Sequence, residues 1–296
     1  MRCIAILNQK GGVGKTTTTV NLGAALAQRG GRCLLIDLDP QSHLTTHLGI
    51  DSNDGKPGAY ELLLGEAALA DAIRPIDDRL AAIGTRLDLA AADVELAGTI
   101  GRELLLRDRL AAQDVPFDWV LLDCPPSLGV LTLNALCAAR EVLVPLQPHF
   151  LALQGVGRLF ETIALVARRI NPGLRVLGLI TCMHEQGTRL GSEVLAELER
   201  YLAESRGQPV PWSEARIFNT RIRRNVKLAE CPSHGRSIFS YAPRSHGAED
   251  YLAFADELLA MTPAAATPAE NGDAAGLTPA PASAAVVEAP VPVGDP

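Results

Sequence analysis

The sequence predicts an α/β domain, a mostly parallel twisted β-sheet flanked by helices on both faces, over residues 1–262, followed by a disordered Ala/Pro-rich acidic tail over 263–296. Two observations lead there. Short apolar β-type runs alternate with helical patterns, which is how βαβ units build parallel sheets. The first of these runs passes directly into a glycine-rich loop and then a helical stretch, the order that a phosphate-binding loop requires. At 296 residues and 47% hydrophobic, the chain can bury a substantial core without a disulfide or metal staple.

In chain order, residues 3–7 (CIAIL) read as the first buried strand and 16–28 as the helix after the loop. Residues 33–37 (CLLID) read as the second strand. A helical pattern over 103–112 precedes the run 119–123 (WVLLD), and 132–139 reads as a helix before the strand 142–146 (VLVPL). A helix over 156–170, a strand over 176–182 (VLGLITC) and helices over 192–203 and 248–260 complete the domain. No Gly/Ser linker interrupts residues 1–262, so they are taken as one domain.

Composition excludes several classes. Six scattered cysteines form no C-x-x-C pair and read as reduced core thiols. The first strand begins at once, with no apolar leader and cleavage site, so no export is expected and a cytoplasmic location follows. No run of about 18 apolar residues is present to span a membrane. Aromatics make up only 4%, which leaves few stacking platforms for a single-strand nucleic-acid binder. The formal net charge of −7 excludes constitutive coating of nucleic acid. Charge is uneven, however: the tail has four acids and no Lys or Arg, which leaves −3 for residues 1–262.

The loop Asn8-Gln9-Lys10-Gly11-Gly12-Val13-Gly14-Lys15-Thr16-Thr17 is that of a P-loop NTPase. Its glycines let backbone N–H groups close around phosphates, and the following helix N-terminus adds a positive dipole end. Lys15 supplies a point charge to the β- and γ-phosphates, and the Thr16 hydroxyl is a Mg²⁺ ligand. Gln9 stands where the usual pattern has its first glycine, and the loop instead carries an extra lysine, Lys10. A lysine at the loop's mouth, directed away from its own phosphates, is placed to reach a nucleotide on a second subunit. The alternative is a solvated loop lysine.

Two acidic strand ends accompany the loop. In Leu38-Asp39-Pro40-Gln41 and the preceding Asp37, the period-two rule places Asp37 and Asp39 on one side; one would orient water and the other support the Mg²⁺ shell. The run 119–123 ends in Asp123, as a Walker B strand does, and Asp123 would hold Mg²⁺ through water. Farther on, residues 216–244 carry Arg216, Arg221, Arg223, Arg224, Lys227, Arg236 and Arg244 against the single acid Glu230, a local +6. Such a patch either engages a phosphate backbone without reading bases or is a solvated basic face. His43 and His47 lie four apart but lack the metalloprotease glutamate, and are not assigned to metal.

The segments KGGVGKTTT at 10–18, NLGAALA at 21–27, DLDPQ at 37–41, DCPPSLG at 123–129, RNVKLAECPSHG at 224–235 and YAPRSHGAEDY at 241–251 resemble, in order and spacing, the ParA/MinD group of deviant-Walker ATPases. The likeness is closest to the short ParA or Soj type of partition ATPase. That resemblance implies an ATP-sandwich homodimer with ATP and Mg²⁺ as cofactors, in which Lys10 crosses to the partner's phosphates and Asp39 activates water. Lys10, Gly11, Gly12, Val13, Gly14, Lys15, Thr16 and Thr17 would surround the nucleotide, with Gly11 at the close dimer interface and Asn225 at the adenine. Thr16, Asp39 and, through water, Asp123 would serve the metal. The resemblance also implies binding of nonspecific double-stranded DNA, in a nucleoid-associated state, through Arg224, with Arg223 and Lys227 beside it and Arg189 in a neighbouring loop. It further implies slow intrinsic hydrolysis and a ParB-like activating protein. Relatives mostly carry proline where this chain has Arg223.

Two rival functions follow from the same motifs. A membrane-binding MinD-like positioner would need a basic amphipathic helix near the C-terminus, and no basic residue follows Thr262. An ATP-dependent amide synthetase of the cobyrinate or dethiobiotin kind shares the loop architecture, but the sequence offers no glutamine amidotransferase domain and little spare length for a substrate domain.

Overall fold

The computed structural model describes residues 1–112, 116–149, 152–185 and 189–261; the tail expected over 263–296 lies outside the described residues. Residues Met1–Met261 make one compact unit. Its strands are β1 (Arg2–Ile6), β2 (Cys33–Asp37), β3 (Arg74–Asp77), β4 (Leu80–Ile83), β5 (Trp119–Asp123), β6 (Glu141–Leu146), β7 (Arg175–His184) and β8 (Arg216–Arg223). They form a single sheet in the order β3-β4-β2-β5-β1-β6-β7-β8. Each neighbouring pair is parallel except β3 with β4.

The helices are α1 (Lys15–Gln28), α2 (His43–His47), α3 (Ala59–Leu64), α4 (Leu69–Ala72), α5 (Ala92–Glu95), α6 (Leu105–Ala111), α7 (Val130–Ala138), α8 (Ala152–Arg169), α9 (Arg189–Glu204), α10 (Val226–Glu230), α11 (Ile238–Tyr241) and α12 (His246–Ala260). Because strand side chains alternate in direction, each inner strand feeds two cores. Cys3 and Ala5 of β1 enter one core with Leu62, Leu106, Leu131, Phe160 and Leu198, whereas Ile4 and Ile6 enter the other with Val20, Leu22, Phe254 and Leu258. Helices therefore cover both faces. At about 1.5–3 kcal/mol per large buried apolar side chain, these two cores outweigh exposed ion pairs such as Arg32–Asp118.

β3, β4 and β8 are not among the strands expected from apolar runs. β3 and β8 are the sheet's outer strands, and their patterns are not apolar runs: Pro75 sits within β3, and β8 (RIFNTRIR) buries only Phe218 and Ile222 while exposing Arg216 and Arg221. The free edge of β8 is covered by Glu257 of α12, whose carboxylate accepts the Asn219 and Thr220 N–H groups at 2.8 and 2.9 Å. The helix expected over 103–112 is shorter, because residues Arg102–Leu104 form a 3₁₀ turn before α6.

Register brings the chemistry to one place. Ile6 of β1 and Asp37 of β2 both align with Asp123 of β5. The glycine loop after β1, the acidic loop after β2 and the end of β5 therefore open side by side at the carboxyl edge of the sheet, where open α/β sheets bind ligands.

Candidate functional site

The loop between β1 and α1 is held from below. Asn8 donates through Nδ2 to the Pro145 carbonyl at 2.7 Å, and its Oδ1 accepts the Lys10 N–H at 3.0 Å. Gly12 and Gly14 take left-handed conformations at φ 72° and 95°, which side chains with a Cβ resist. Gly11 is different: a Cβ there would meet nothing within 4 Å, so its own chain does not demand glycine at that point. Gly14 then starts α1 with no side-chain cap, and the first turn contains no acid. A 14-residue helix thus presents uncapped N–H groups into the glycine loop.

The loop's two lysines point in different directions. Lys15 is buried, and its Nζ donates to the Lys10 carbonyl at 3.4 Å. Burial pulls its ammonium below the ordinary lysine value, while the Asp123 and Asp39 carboxylates draw it back up. Lys10 is exposed, with Nζ 3.0 Å from Nε2 of His149.

Asp123 is completely buried at the end of β5, and hydroxyls on α1 hold both of its carboxylate oxygens. Thr16 donates to Oδ2 at 2.7 Å, and Thr19 Oγ1 lies 3.1 Å from Oδ1. Burial, followed by the neighbouring Asp37 charge, pushes the Asp123 carboxyl well above the usual carboxylate range. The sequence reading did not include Thr19, although its i, i+3 spacing from Thr16 places both hydroxyls on one helix face.

Asp37 and Asp39 part company. The strand ends at Asp37, whose side chain is fully buried and accepts both the N–H and the hydroxyl of Thr45, at 2.9 and 2.6 Å. Thr45 Oγ1 in turn accepts the Thr85 N–H at 2.9 Å. Asp37 therefore seats α2, a bond set that the expectation of shared water or metal work with Asp39 did not include. Asp39 lies past the strand, 6% exposed, with Oδ1 accepting the Gln41 N–H at 3.0 Å.

The far end of α2 touches the C-terminal segment. His47 is buried beneath Arg236, and Gly49 and Gly235 cross so closely that a Cβ on Gly235 would lie 2.9 Å from the Gly49 Cα. His47 Nε2 has no hydrogen-bond partner among the described residues, and burial lowers the imidazole from 6.5 to about 4, against a weaker upward pull from the Arg236 main chain. An unfolded chain takes up this proton near 6.5 and the folded one resists it to about 4. Its contribution is therefore fully present above 6.5 and is lost as pH falls through that window, by up to about 3 kcal/mol. Denaturant unfolding at neutral and acid pH is expected to show a shallower acid loss for His47→Gln than for the parent chain.

The C-terminal basic segment is more heavily paired than its composition suggests. Arg223 binds Asp250 at 2.6 Å and Glu249 at 3.2 Å, and its N–H donates to Asp250 at 2.8 Å. It fastens the end of β8 to α12, so the guanidinium expected at DNA already has two carboxylates on it. Lys227 pairs with Glu230 at 2.8 Å and lies over the Tyr241 ring. Arg224 is 73% exposed and pairs with Glu185 at 2.7 Å; Arg189, 93% exposed, pairs with Glu193 within its own helix. Exposed pairs of this kind are weak enough for a phosphate to displace. Asn225 caps α10, its Oδ1 accepting the Lys227 N–H at 2.8 Å. Asn21 joins this region to the phosphate loop's helix: its Nδ2 donates to the Thr17 carbonyl and its Oδ1 accepts the Ile238 N–H, both at 2.8 Å.

The site suits a magnesium–nucleotide. The uncapped α1 N-terminus and left-handed glycines form an anion cradle, and the Thr16 hydroxyl and Asp123 carboxylate are hard oxygen donors of the type Mg²⁺ takes. Fold and site together define a P-loop NTPase. A family described as "AAA domain" matches residues 1–176. The sporulation initiation inhibitor protein Soj of Bacillus subtilis is 43% identical over 260 residues, 88% of this chain and 98% of the relative. The chromosome-partitioning ATPase Soj of Thermus thermophilus is 44% identical over 88% of this chain and 96% of its own length. The chain belongs to the Soj/ParA family of chromosome-partitioning ATPases. Among solved structures, one described as cobyrinic acid a,c-diamide synthase from Mycobacterium smegmatis with bound ADP and magnesium is 38% identical. It has a TM-score of 0.73 and covers 88% of this chain and 94% of that one. No helix among the described residues is long and apolar enough to cross a membrane.

Proposed function

We propose that this chain is an ATP-operated DNA switch: two copies close around two Mg²⁺-ATP molecules, the closed pair holds nonspecific double-stranded DNA on the nucleoid, and hydrolysis releases it. The observation that carries this reading is the division between the loop's lysines. Lys15 faces inward among Asp123 and Asp39, while Lys10 stands outward at the mouth. One lysine thereby serves its own nucleotide, and the other, held only by an exposed contact to His149, can reach a partner's. The open space at Gly11 suits the close approach of a second chain.

Magnesium, when bound, neutralises developing phosphate charge. The chain's own parts position: the glycine loop and α1 orient the phosphates, Lys15 balances their charge, Thr16 and Asp123 hold the metal's surroundings, and Asp39 orients water. The family motifs supply no arginine finger, so hydrolysis is slow until an activating protein of the ParB type adjusts the site.

The exposed guanidinium of Arg224, with exposed Arg221 at the same end of β8, supplies sequence-independent phosphate contacts. Retention on duplex DNA, compared with ATP, ADP and no nucleotide, tests the switch. Retention is expected only with ATP, and equal retention in all three states would overturn it. Arg224→Ala is expected to weaken the ATP state and to lower the salt slope by about one per chain.

A second reading, an ATP-dependent amide synthetase, is favoured by the description of the Mycobacterium smegmatis structure. It predicts ATP turnover stimulated by a small carboxylic acid and indifferent to DNA, which phosphate release measured with each addition in turn distinguishes.

A further inference from the structure

We infer that Thr19 is a positioning residue for the metal–nucleotide site, setting the orientation of Asp123 from one helical turn beyond the phosphate loop; this rests on the Mg²⁺-ATP reading of that site. Asp123 projects from β5 into the face of α1, where the Thr16 hydroxyl reaches Oδ2 at 2.7 Å and the Thr19 hydroxyl reaches Oδ1 at 3.1 Å. Thr19 and Asp123 are both completely buried. A carboxylate's terminal torsion is broad and soft, so a single hydrogen bond leaves its plane free to turn. Two hydroxyls on successive turns of a rigid helix fix it.

The Thr19 hydroxyl has one proton and two acceptors within reach, the Lys15 carbonyl at 3.0 Å and Asp123 Oδ1. Hydrogen bonds to an ionised acceptor are the stronger kind, so the carboxylate takes the proton when it is charged. Replacing the hydroxyl by a methyl leaves a buried carboxylate oxygen unpartnered and the carboxylate's plane unset. Thr16 would remain, but on one side only. Partners that orient metal-serving groups typically change metal affinity by about 10–100-fold when removed.

The experiment uses the full chain and a fluorescent ATP analogue. Equilibrium binding is titrated with Mg²⁺ for the parent, Thr19→Val, Thr19→Ala and Thr19→Ser, each first checked for folding by thermal melting. Loss of the hydroxyl in either Thr19→Val or Thr19→Ala is expected to raise the half-point for Mg²⁺ about 10-fold or more, with Thr19→Ser close to the parent. Analogue binding without Mg²⁺ is expected to hold in all four. An unchanged Mg²⁺ half-point in the folded hydroxyl-free variants would overturn the inference, as would an equal shift in Thr19→Ser or an equal loss of Mg²⁺-free binding. Parent chain that binds the analogue with no response to Mg²⁺ would instead overturn the magnesium reading of the site, and the inference with it.

Discussion

Lys15→Ala is expected to reduce ATP turnover by on the order of 10²–10³-fold and to abolish ATP-dependent DNA retention. The buried ammonium is the cation that the Asp123 and Asp39 carboxylates surround, and it sits where the α1 N-terminus and the glycine loop converge. Phosphates entering that cradle meet its full charge in a site with little water to screen it, which makes the loss large. Removing it also leaves the acids without their cation, so they repel the incoming polyanion. Lys10→Ala is the comparison that gives this result meaning. Its ammonium is outside the cradle, so a single chain should still bind nucleotide while turnover and DNA retention fail. Equal loss of nucleotide binding in Lys10→Ala and Lys15→Ala, read by equilibrium titration, would remove the separation of roles between them.

The inner architecture was legible because parallel strands covered on both faces must be apolar throughout. Residues 3–7, 33–37 and 119–123 signalled themselves in that way, and the loop at 8–17 is a local motif whose chemistry lies in consecutive residues. The edges were not. β8 buries only Phe218 and Ile222, on one face, so it has no apolar run, and its arginines drew attention as a charge cluster instead. Partner choice was equally hidden. Nothing near Arg223 in sequence announces Asp250, and nothing in the spacing of Asp37 and Asp39 shows that the strand ends at Asp37 and leaves Asp39 in a loop. Thr45, eight residues on, claims that carboxylate through a turn no periodicity predicts. Thr19 lay in plain view within the Thr-rich stretch, but its role needs the register that sets β5 against α1.

Asp39→Ala is expected to separate ATP binding from ATP hydrolysis. Asp39 is beyond the end of β2, nearly enclosed, with Oδ1 steadied by the Gln41 N–H and no hydrogen-bonded cation holding Oδ2 among the described residues. That leaves one carboxylate oxygen for water, and a positioned base contributes on the order of 10²–10⁴-fold. Its removal leaves the glycines and the Thr16–Asp123–Thr19 clasp in place and Lys15 with Asp123 as its carboxylate, so nucleotide affinity should hold. Asp37, fully buried at the strand end, cannot substitute, because Thr45 holds its Oδ2 and the Asp39 N–H its Oδ1. With binding intact and turnover lost, the ATP-bound pair should accumulate on DNA. Phosphate release and the lifetime of DNA retention after an excess of ADP are the two readouts. Slow phosphate release together with prolonged retention is the expected pair of results. Retention that decays as fast as in the parent chain would mean that release does not wait for the water Asp39 orients, and the switch would have to be driven by nucleotide exchange instead.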